Sequence, residues 1–430
     1  MTEHVSRRTA LRVSMTAAVS LPFAGVSLGQ QSTKSKKPVS KPAITGDTSP
    51  AFAPFDQLMT SFVEQHRVPG AALAMTHRSR LIYARGFGFA DVEERRLVQP
   101  NSLFRIASIS KPLTAVTVLQ LIQQKKFKLD DRAFEILPEK EWLPSEGDER
   151  LRRITIRQLL QHTAGWDREK SFDPIGRPSD VARTANKPLP VGPADVVRYT
   201  LTLPLDFDPG ARHAYSNVGY LLLGRLIEHV SGQSYETYVK EKVLAPVGIS
   251  RMQLGRSWKG DLAKEEVRYY DSKQREFPAV NGPELGIKVP IVYGGENFEA
   301  YEAHGGWIAS AIDLVRFASA FDIPTSSKLI RTEAIAAMVA RPEGAAGFEA
   351  GGQPKPSYYG CGWSVRPIGN DGRVNMWHTG LIAGTSTILV RRHDGINWAV
   401  LFNTESNPTG DNLANLIDPL VQRATDAVKK

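Results

Sequence analysis

The chain has 430 residues, of which 41% are hydrophobic and 23% are charged, and its formal net charge at pH 7 is +9. This length can bury a large core in one large domain or two smaller ones. Residues 1–50 hold seven Lys or Arg against two Asp or Glu. The remainder is therefore only mildly basic, which argues against a nucleic-acid partner. The single cysteine, Cys361, excludes an intramolecular disulfide and a cysteine-based metal cluster.

The N-terminal segment has the pattern of an export signal. Arg7 and Arg8 precede the uncharged residues 13–29, which end in small side chains, and paired arginines are typical of the twin-arginine route. The modest length and interior proline of the apolar stretch argue against a stable membrane span in the mature chain. Residues 30–50 are rich in Ser, Thr, Lys and Pro, which predicts a disordered linker. We therefore expect residues 1–29 to be removed from a periplasmic or secreted protein.

Hydrophobic periodicity divides residues 51–430 into strands near both ends and helices between them. Helices are predicted at 55–66, 108–122, 156–161, 193–203, 216–230, 235–244, 310–321, 332–339 and 412–428, and strands at 71–75, 81–89, 103–107, 358–365, 374–377, 385–391 and 398–402. This order predicts an α/β (α+β) fold. One antiparallel sheet is built from N- and C-terminal strands and flanked by helices, with a mainly helical lobe inserted at roughly 130–345.

The sequence Ser108-Ile109-Ser110-Lys111 is the only Ser-x-x-Lys in the chain. It stands where a predicted strand runs into a predicted helix. Residues three apart on a helix share a face, so the serine hydroxyl and the lysine amine can meet. Burial and positive neighbours would lower the pKa of the amine and make it a base for the serine. A helix N-cap is the alternative role for Ser108.

Two further motifs follow in the chain. Tyr-Ser-Asn at 215–217 is the only Tyr-x-Asn, and His-Thr-Gly at 378–380 is the only His-Thr-Gly or Lys-Thr-Gly. With Ser-x-x-Lys, this ordered set resembles the β-lactamase-related serine hydrolases, a superfamily that includes class C β-lactamases, D-alanyl-D-alanine carboxypeptidases and family VIII carboxylesterases. Supporting segments lie at 68–72, 159–165, 209–210 and 304–307.

The resemblance implies a catalytic group of three residues. Ser108 would be the nucleophile. Lys111 is the first candidate for its base, with Tyr215 as partner or alternative, and the sequence leaves open which of the two takes the proton. Two nearby cations would favour the phenolate form of Tyr215, and a phenol could also pass a proton to the leaving group.

The same resemblance implies substrate-binding roles for residues in the second and third motifs. The amide of Asn217 would bond both the substrate and the lysine. The strand that carries Thr379 would lie along the active-site edge, where Gly380 allows close approach of the substrate. The backbone N–H of Leu381 would join that of Ser108 as a donor to the oxyanion.

His378 departs from most class C β-lactamases, which have lysine there. An imidazole near its ordinary pKa of about 6.5 is only part-charged, so it holds a substrate carboxylate less firmly than lysine does. His-Thr-Gly nevertheless occurs in some carboxypeptidases. Among other basic residues, Arg391 and Arg392 are expected to form a solvated strand end, and His162 is expected to have a structural role in a turn.

The sequence therefore predicts an exported serine hydrolase that acts through an acyl-enzyme on carboxylesters or D-alanyl peptides. The partner is a small-molecule or peptide substrate, and no cofactor is expected. No metal is expected either, since no His-Glu-x-x-His or paired metal-ligand spacing occurs. A class C type β-lactamase is the alternative. From another class of function, a non-catalytic penicillin-binding sensor module remains possible.

Overall fold

The computed structural model describes residues 42–47 and 49–428. The predicted export signal at 1–29 and most of the predicted linker at 30–50 lie outside the described residues. Within the described part of that linker, Ile44–Thr45 form a short strand, contrary to the expected disorder. This strand pairs with residues 86–87 of a later strand.

The strands are β1 (Ile44–Thr45), β2 (Gly70–His77), β3 (Arg80–Asp91), β4 (Arg96–Leu97), β5 (Phe104–Arg105), β6 (Gln253–Leu254), β7 (Glu276–Pro278), β8 (Lys288–Pro290), β9 (Trp307–Ala309), β10 (Tyr358–Tyr359), β11 (Ser364–Ile368), β12 (Arg373–Ile382), β13 (Thr385–Arg391) and β14 (Ile396–Phe402). In the described residues, the main sheet is antiparallel with the order β1-β3-β2-β14-β13-β12-β11-β10, and β4 pairs with β3. N-terminal and C-terminal strands meet where β2 pairs with β14. Strand β9 pairs with β5 and β6 in a smaller sheet, and β7 pairs with β8.

The helices are α1 (Ala53–Gln65), α2 (Ser110–Gln123), α3 (Ala133–Ile136), α4 (Glu139–Trp142), α5 (Ile156–Leu160), α6 (Pro178–Ala185), α7 (Pro193–Leu201), α8 (Asn217–Ser231), α9 (Tyr235–Val239), α10 (Glu302–Gly305), α11 (Ala311–Ser319), α12 (Thr332–Val339), α13 (Gly344–Gly347) and α14 (Leu413–Val428). Helices predominate between β5 and β10. No helix in the described ranges is both long enough and apolar enough to cross a membrane.

Side chains of the sheet alternate between two hydrophobic cores. On β2, Leu73 and Met75 face the core formed with α1 and α14. Ala72 and Ala74 face the larger core, which contains α2, α8 and α11. Successive strand residues point to opposite faces, so covering both faces explains why β2 is apolar almost throughout. The α2 helix is buried on all sides from Ser110 to Leu121, and the buried residues include the polar side chains of Lys111, Thr114 and Gln120. Buried polar groups such as these need hydrogen-bond partners, and Thr114 and Gln120 find theirs within the protein.

These observations confirm the predicted fold class, with differences in individual elements. The strand predicted at 358–365 is broken into β10 and β11 by a turn in which the Gly360 N–H donates to Trp363 O at 2.8 Å. Gly362 in this turn has a φ of +80°, and a Cβ there would lie 2.6 Å from the Cβ of Ala115 on α2. Cys361 therefore lies in a turn and not in a strand. It is fully buried, which raises the pKa of its thiol to about 12.

The expectation for Arg391 and Arg392 is wrong, because both side chains are buried. Arg391 donates to Phe321 O at 2.8 Å. Arg392 forms ion pairs with Asp394 and Asp426, each at 2.8 Å. Neither arginine is a solvated strand end, and the polar partners of both lie outside the motif residues.

Candidate active site

Ser108 lies in the turn that joins β5 to α2. The preceding residue, Ala107, has a φ of +47°, a left-handed conformation that costs a non-glycine residue about 1–3 kcal/mol. From Ser102 to Leu121 every residue is buried except Ser108, which is partly exposed. The turn thus presents a single hydroxyl from an otherwise buried segment.

Strand β12 packs directly against this turn at Gly380. A Cβ on Gly380 would lie 2.2 Å from the carbonyl oxygen of Ile106 and 3.1 Å from the Cβ of Ala107. Thr387 on the neighbouring strand donates its hydroxyl to the same Ile106 oxygen at 3.1 Å. The sequence predicts that the lack of a side chain at Gly380 leaves room for the substrate. In the structure this room is taken by the backbone that leads to Ser108.

The C-terminal half of β12 forms an open edge beside the turn. Pairing with β11 ends at Trp377, whereas pairing with β13 continues to Ile382. Thr379 and Leu381 lie on this edge, and the Leu381 side chain is 51% exposed. A substrate backbone can therefore lie along β12 next to Ser108, as the resemblance implied.

Lys111 is fully buried in the first turn of α2, and three oxygen atoms surround its amine. The Nζ atom lies 2.8 Å from Asn217 Oδ1, 3.0 Å from His304 O and 3.3 Å from Ser108 Oγ. A neutral amine has two hydrogens and one lone pair. The two carbonyl oxygens can only accept, so they take the two hydrogens. The lone pair is then left to face the Ser108 hydroxyl.

Electrostatics favour this neutral form of Lys111. Burial lowers its pKa well below the ordinary value for lysine, because the charged amine would lose its hydration. The Asp173 carboxylate acts to raise the pKa, and the Arg168 guanidinium acts to lower it. Burial, together with the Arg168 charge, outweighs the effect of Asp173, so the amine is available as a base.

Asn217 is held in one orientation by Asp173. Its Nδ2 atom donates to Asp173 Oδ2 at 2.5 Å. A carboxylate can only accept, so the amide nitrogen must face Asp173 and the amide oxygen must face Lys111. Ser216 caps the start of α8 by accepting from the Gly219 N–H at 3.4 Å, which fixes the backbone at Asn217.

Tyr215 completes the cluster as a neutral phenol. Burial raises its pKa, although a hydrogen bond with Ser108 and the charge of Arg168 act to lower it. The guanidinium carbon of Arg168 and the Nζ of Lys111 each lie 4.7 Å from the centroid of the Tyr215 ring. The expectation that nearby cations favour the phenolate is wrong, because burial has the larger effect on the Tyr215 pKa.

His162 buttresses this tyrosine. It has a φ of +57°, and its ring centroid lies 4.3 Å from that of Tyr215. Its Nδ1 atom accepts from the Ser216 N–H at 3.2 Å. The residue forms part of a turn, as expected, and it also contacts Tyr215 and Ser216 of the second motif.

His378 lies in the same cluster with its ring buried. The Nε2 atom is 2.9 Å from the Tyr359 hydroxyl, and the Nδ1 atom is 2.7 Å from Thr379 O. Burial, with a further contribution from the charge of Lys111, lowers the pKa of His378 to about 3. The expected part-charged imidazole is therefore uncharged at neutral pH.

The structure thus brings all eight predicted site residues to one region, and it adds four that the motifs do not contain. Arg168 and Asp173 come from the loop between α5 and α6, His304 from α10, and Tyr359 from β10. Only His304 had a sequence signal, since it belongs to a segment that the resemblance covers. The other three are recognisable only from their contacts.

Replacing either charged neighbour of Lys111 with a neutral residue is expected to shift the acid limb of the pH profile of kcat/KM. The two replacements should shift it in opposite directions. The neutral amine is the active form, so activity falls at pH values below the Lys111 pKa. Asp173→Asn removes a charge that raises this pKa, so the limb should move to lower pH. Arg168→Gln removes a charge that lowers it, so the limb should move to higher pH. Ester hydrolysis over a pH series measures both limbs, and shifts of the same sign would contradict this assignment.

Comparisons with known proteins agree with the geometry. The Beta-lactamase family model matches residues 55–422. The chain therefore belongs to the beta-lactamase family. It is 29% identical over 265 residues to "Probable fimbrial assembly protein FimD, serogroup H1" of Dichelobacter nodosus, a match that covers 61% of this chain and 60% of that protein.

Two other proteins illustrate the range of relatives. "Penicillin-binding protein 4*" of Bacillus subtilis (strain 168) is 29% identical over 226 residues, covering 50% of this chain and 43% of that protein. These matches span only about half the length of the curated relatives. The fold is also that of the D-amino acid amidase of Ochrobactrum anthropi SV3, with a TM-score of 0.65 and 19% identity over 89% of this chain and 99% of that chain.

Proposed function

We propose that this protein hydrolyses carboxylic esters or D-alanyl peptides through an acyl-enzyme on Ser108. The observation that carries the proposal is the buried amine of Lys111, which faces the partly exposed Ser108 hydroxyl and gives its two hydrogens to carbonyl oxygens. In the first step Lys111 takes the hydroxyl proton while Oγ attacks the acyl carbon. The N–H groups of Ser108 and Leu381 are the proposed donors to the oxyanion.

Tyr215 then acts as the acid for the leaving group. A neutral phenol bonded to Ser108 can give its proton to the departing oxygen or nitrogen, and protonated Lys111 can replace that proton. Water attacks the acyl-enzyme by the same route in reverse. Asp173 is a positioning residue in this scheme, because it acts on the substrate through Asn217 and Lys111. The binding of the substrate by the Asn217 amide stays a prediction.

A cavity of about 200 Å³ lies beside Asn217 and is the proposed site for a small part of the substrate. Trp166, Phe172 and Leu203 give it apolar walls, and its lining also includes charged residues such as Arg168 and Asp173. Apolar walls with a few polar groups are typical of pockets that bind small organic groups.

A rate panel with nitrocefin, a D-Ala-D-Ala peptide and short-chain p-nitrophenyl esters tests the proposal. We expect repeated turnover of the esters or the peptide, with nitrocefin hydrolysed more slowly. Stoichiometric acylation of Ser108 without release would instead indicate a penicillin-binding sensor. Absence of both acylation and turnover would contradict the proposed function.

We further propose that the protein is exported, on the basis of the paired arginines and the uncharged stretch at 13–29. N-terminal sequencing of the protein from the native host is expected to give a start near residue 30. An intact 1–29 segment on the mature protein would contradict export by cleavage.

A further inference from the structure

Both ring nitrogens of His378 are occupied by groups of the protein itself. Thr379 O can only accept, so Nδ1 carries the ring hydrogen and donates to it at 2.7 Å. Nε2 is then an acceptor, and the Tyr359 hydroxyl donates to it at 2.9 Å. The residue is only 4% exposed. No donor on this imidazole is left for a substrate.

Tyr359 is itself firmly held. It pairs with Ser364 in the short β10–β11 ladder and is buried. Its ring meets the His378 ring edge to face, with centroids 5.7 Å apart at 87°, and it lies 4.5 Å from the His162 ring centroid. These contacts hold the Tyr359 hydroxyl beside Nε2 of His378, and the Tyr220 hydroxyl is its other hydrogen-bond neighbour.

The lack of a free donor on His378 bears on substrate binding because of where this residue lies in the site. His378 precedes the open edge of β12, and its ring centroid lies 6.4 Å from that of Tyr215, the proposed acid for the leaving group. A cation at this position would therefore lie near a carboxylate on the leaving group. Here burial keeps the ring uncharged. The nearby Thr379 hydroxyl is a neutral donor, so it offers a carboxylate a hydrogen bond but no opposite charge.

We propose that Tyr359 is a specificity-determining residue. By donating to Nε2 of His378 it leaves the imidazole without a donor for the substrate, so the enzyme prefers esters and amides whose leaving group carries no carboxylate. The inference rests on the proposed function and narrows it, since it disfavours peptides with a terminal D-alanine carboxylate and β-lactams. His-Thr-Gly carboxypeptidases need not share this preference, because the preference comes from the tyrosine outside the motif.

Two esters of one acyl group test the proposal, with 3-carboxyphenol and 3-carbamoylphenol as leaving groups. They have nearly the same size and differ in charge. For the wild-type protein we expect kcat/KM to be about 10-fold or more higher for the carbamoyl ester, since one charge-assisted contact is lost without compensation for the carboxylate. A wild-type preference for the carboxylate ester would overturn the proposal and point to a cation elsewhere, such as Arg168 on the other wall.

Two variants then test whether His378 and Tyr359 cause this preference between the two esters. His378→Lys places a cation at this edge. Tyr359→Phe removes the donor that holds Nε2 as an acceptor, so that Nε2 can take a proton and donate to a substrate carboxylate. Each should raise the ratio of carboxylate to carbamoyl ester hydrolysis, by about 10-fold for the lysine and about 3-fold for the phenylalanine. Tyr358→Phe is the matched control, because the Tyr358 hydroxyl bonds to Val339 O at 2.8 Å and not to His378. Its ratio should equal that of the wild type.

Thermal unfolding identifies variants that remain folded. If both folded variants keep the wild-type ratio, or if Tyr358→Phe changes it as much as Tyr359→Phe does, the assignment to Tyr359 is wrong. If the wild-type protein hydrolyses neither ester and Ser108 is not acylated, the proposed function fails and the inference fails with it. Hydrolysis of both esters at equal rates defeats the specificity inference alone.

Discussion

Replacing Ser108 with alanine is expected to lower the rate of p-nitrophenyl ester hydrolysis by about 10³-fold or more, since no other group in the site can form the acyl-enzyme. Covalent labelling by a fluorescent penicillin or a fluorophosphonate should disappear at the same time. The hydroxyl lies 3.3 Å from the Lys111 amine and has no role in the core, so the variant should fold normally.

Ser110→Ala is the matched control for this experiment. The Ser110 hydroxyl donates to Ala107 O at 2.7 Å and accepts from the Trp307 N–H at 3.3 Å. Its loss should cost about 1–3 kcal/mol of unfolding free energy, because the Trp307 N–H is left unsatisfied. Labelling at Ser108 should nevertheless persist. Labelling that survives in Ser108→Ala would refute Ser108 as the nucleophile.

Replacing Lys111 with methionine is expected to lower the acylation rate by about 10²–10⁴-fold, the usual contribution of a positioned general base. Methionine approximates the length of the lysine chain but offers no lone pair to the Ser108 hydroxyl. Stopped-flow measurement of the first turnover isolates acylation from release of the product.

The stability change in Lys111→Met should be small. The variant leaves Asn217 Oδ1 and His304 O without a donor, but it also removes an amine whose burial is itself unfavourable. Lys126→Met, at an exposed position just beyond α2, controls for the loss of a lysine and should acylate at the wild-type rate. Unchanged acylation in Lys111→Met would show that the base lies elsewhere.

Hydrophobic periodicity predicted the long strands of the main sheet, but not the short strands β1 and β4. The β2 and β14 segments are apolar runs flanked by turn residues, and their pairing joins the two ends of the domain. The same periodicity missed the break between β10 and β11. The apolar composition of residues 360–363 fits either a strand or a turn that packs against α2. Only the contact of Gly362 with Ala115 in the structure shows that these residues form a turn.

The motif residues of the site could be predicted, but the charges around them could not. Asp173 determines the orientation of Asn217, and Arg168 lies over Tyr215. Both belong to a loop with no periodicity and no motif, so their positions depend on how the loop packs on α8. The charge state of His378 likewise depends on its burial, and its contact with Tyr359 depends on the packing of β10; neither can be read from His-Thr-Gly.

Peptide mapping of the enzyme quenched during turnover tests the central claim most directly. With a slowly released acyl ester, the account predicts an added acyl mass on the peptide that contains Ser108, at a level that follows substrate concentration and disappears when the substrate is exhausted. An acyl group on a different residue, or turnover with no adduct even when release of the acyl group is slow, would contradict it.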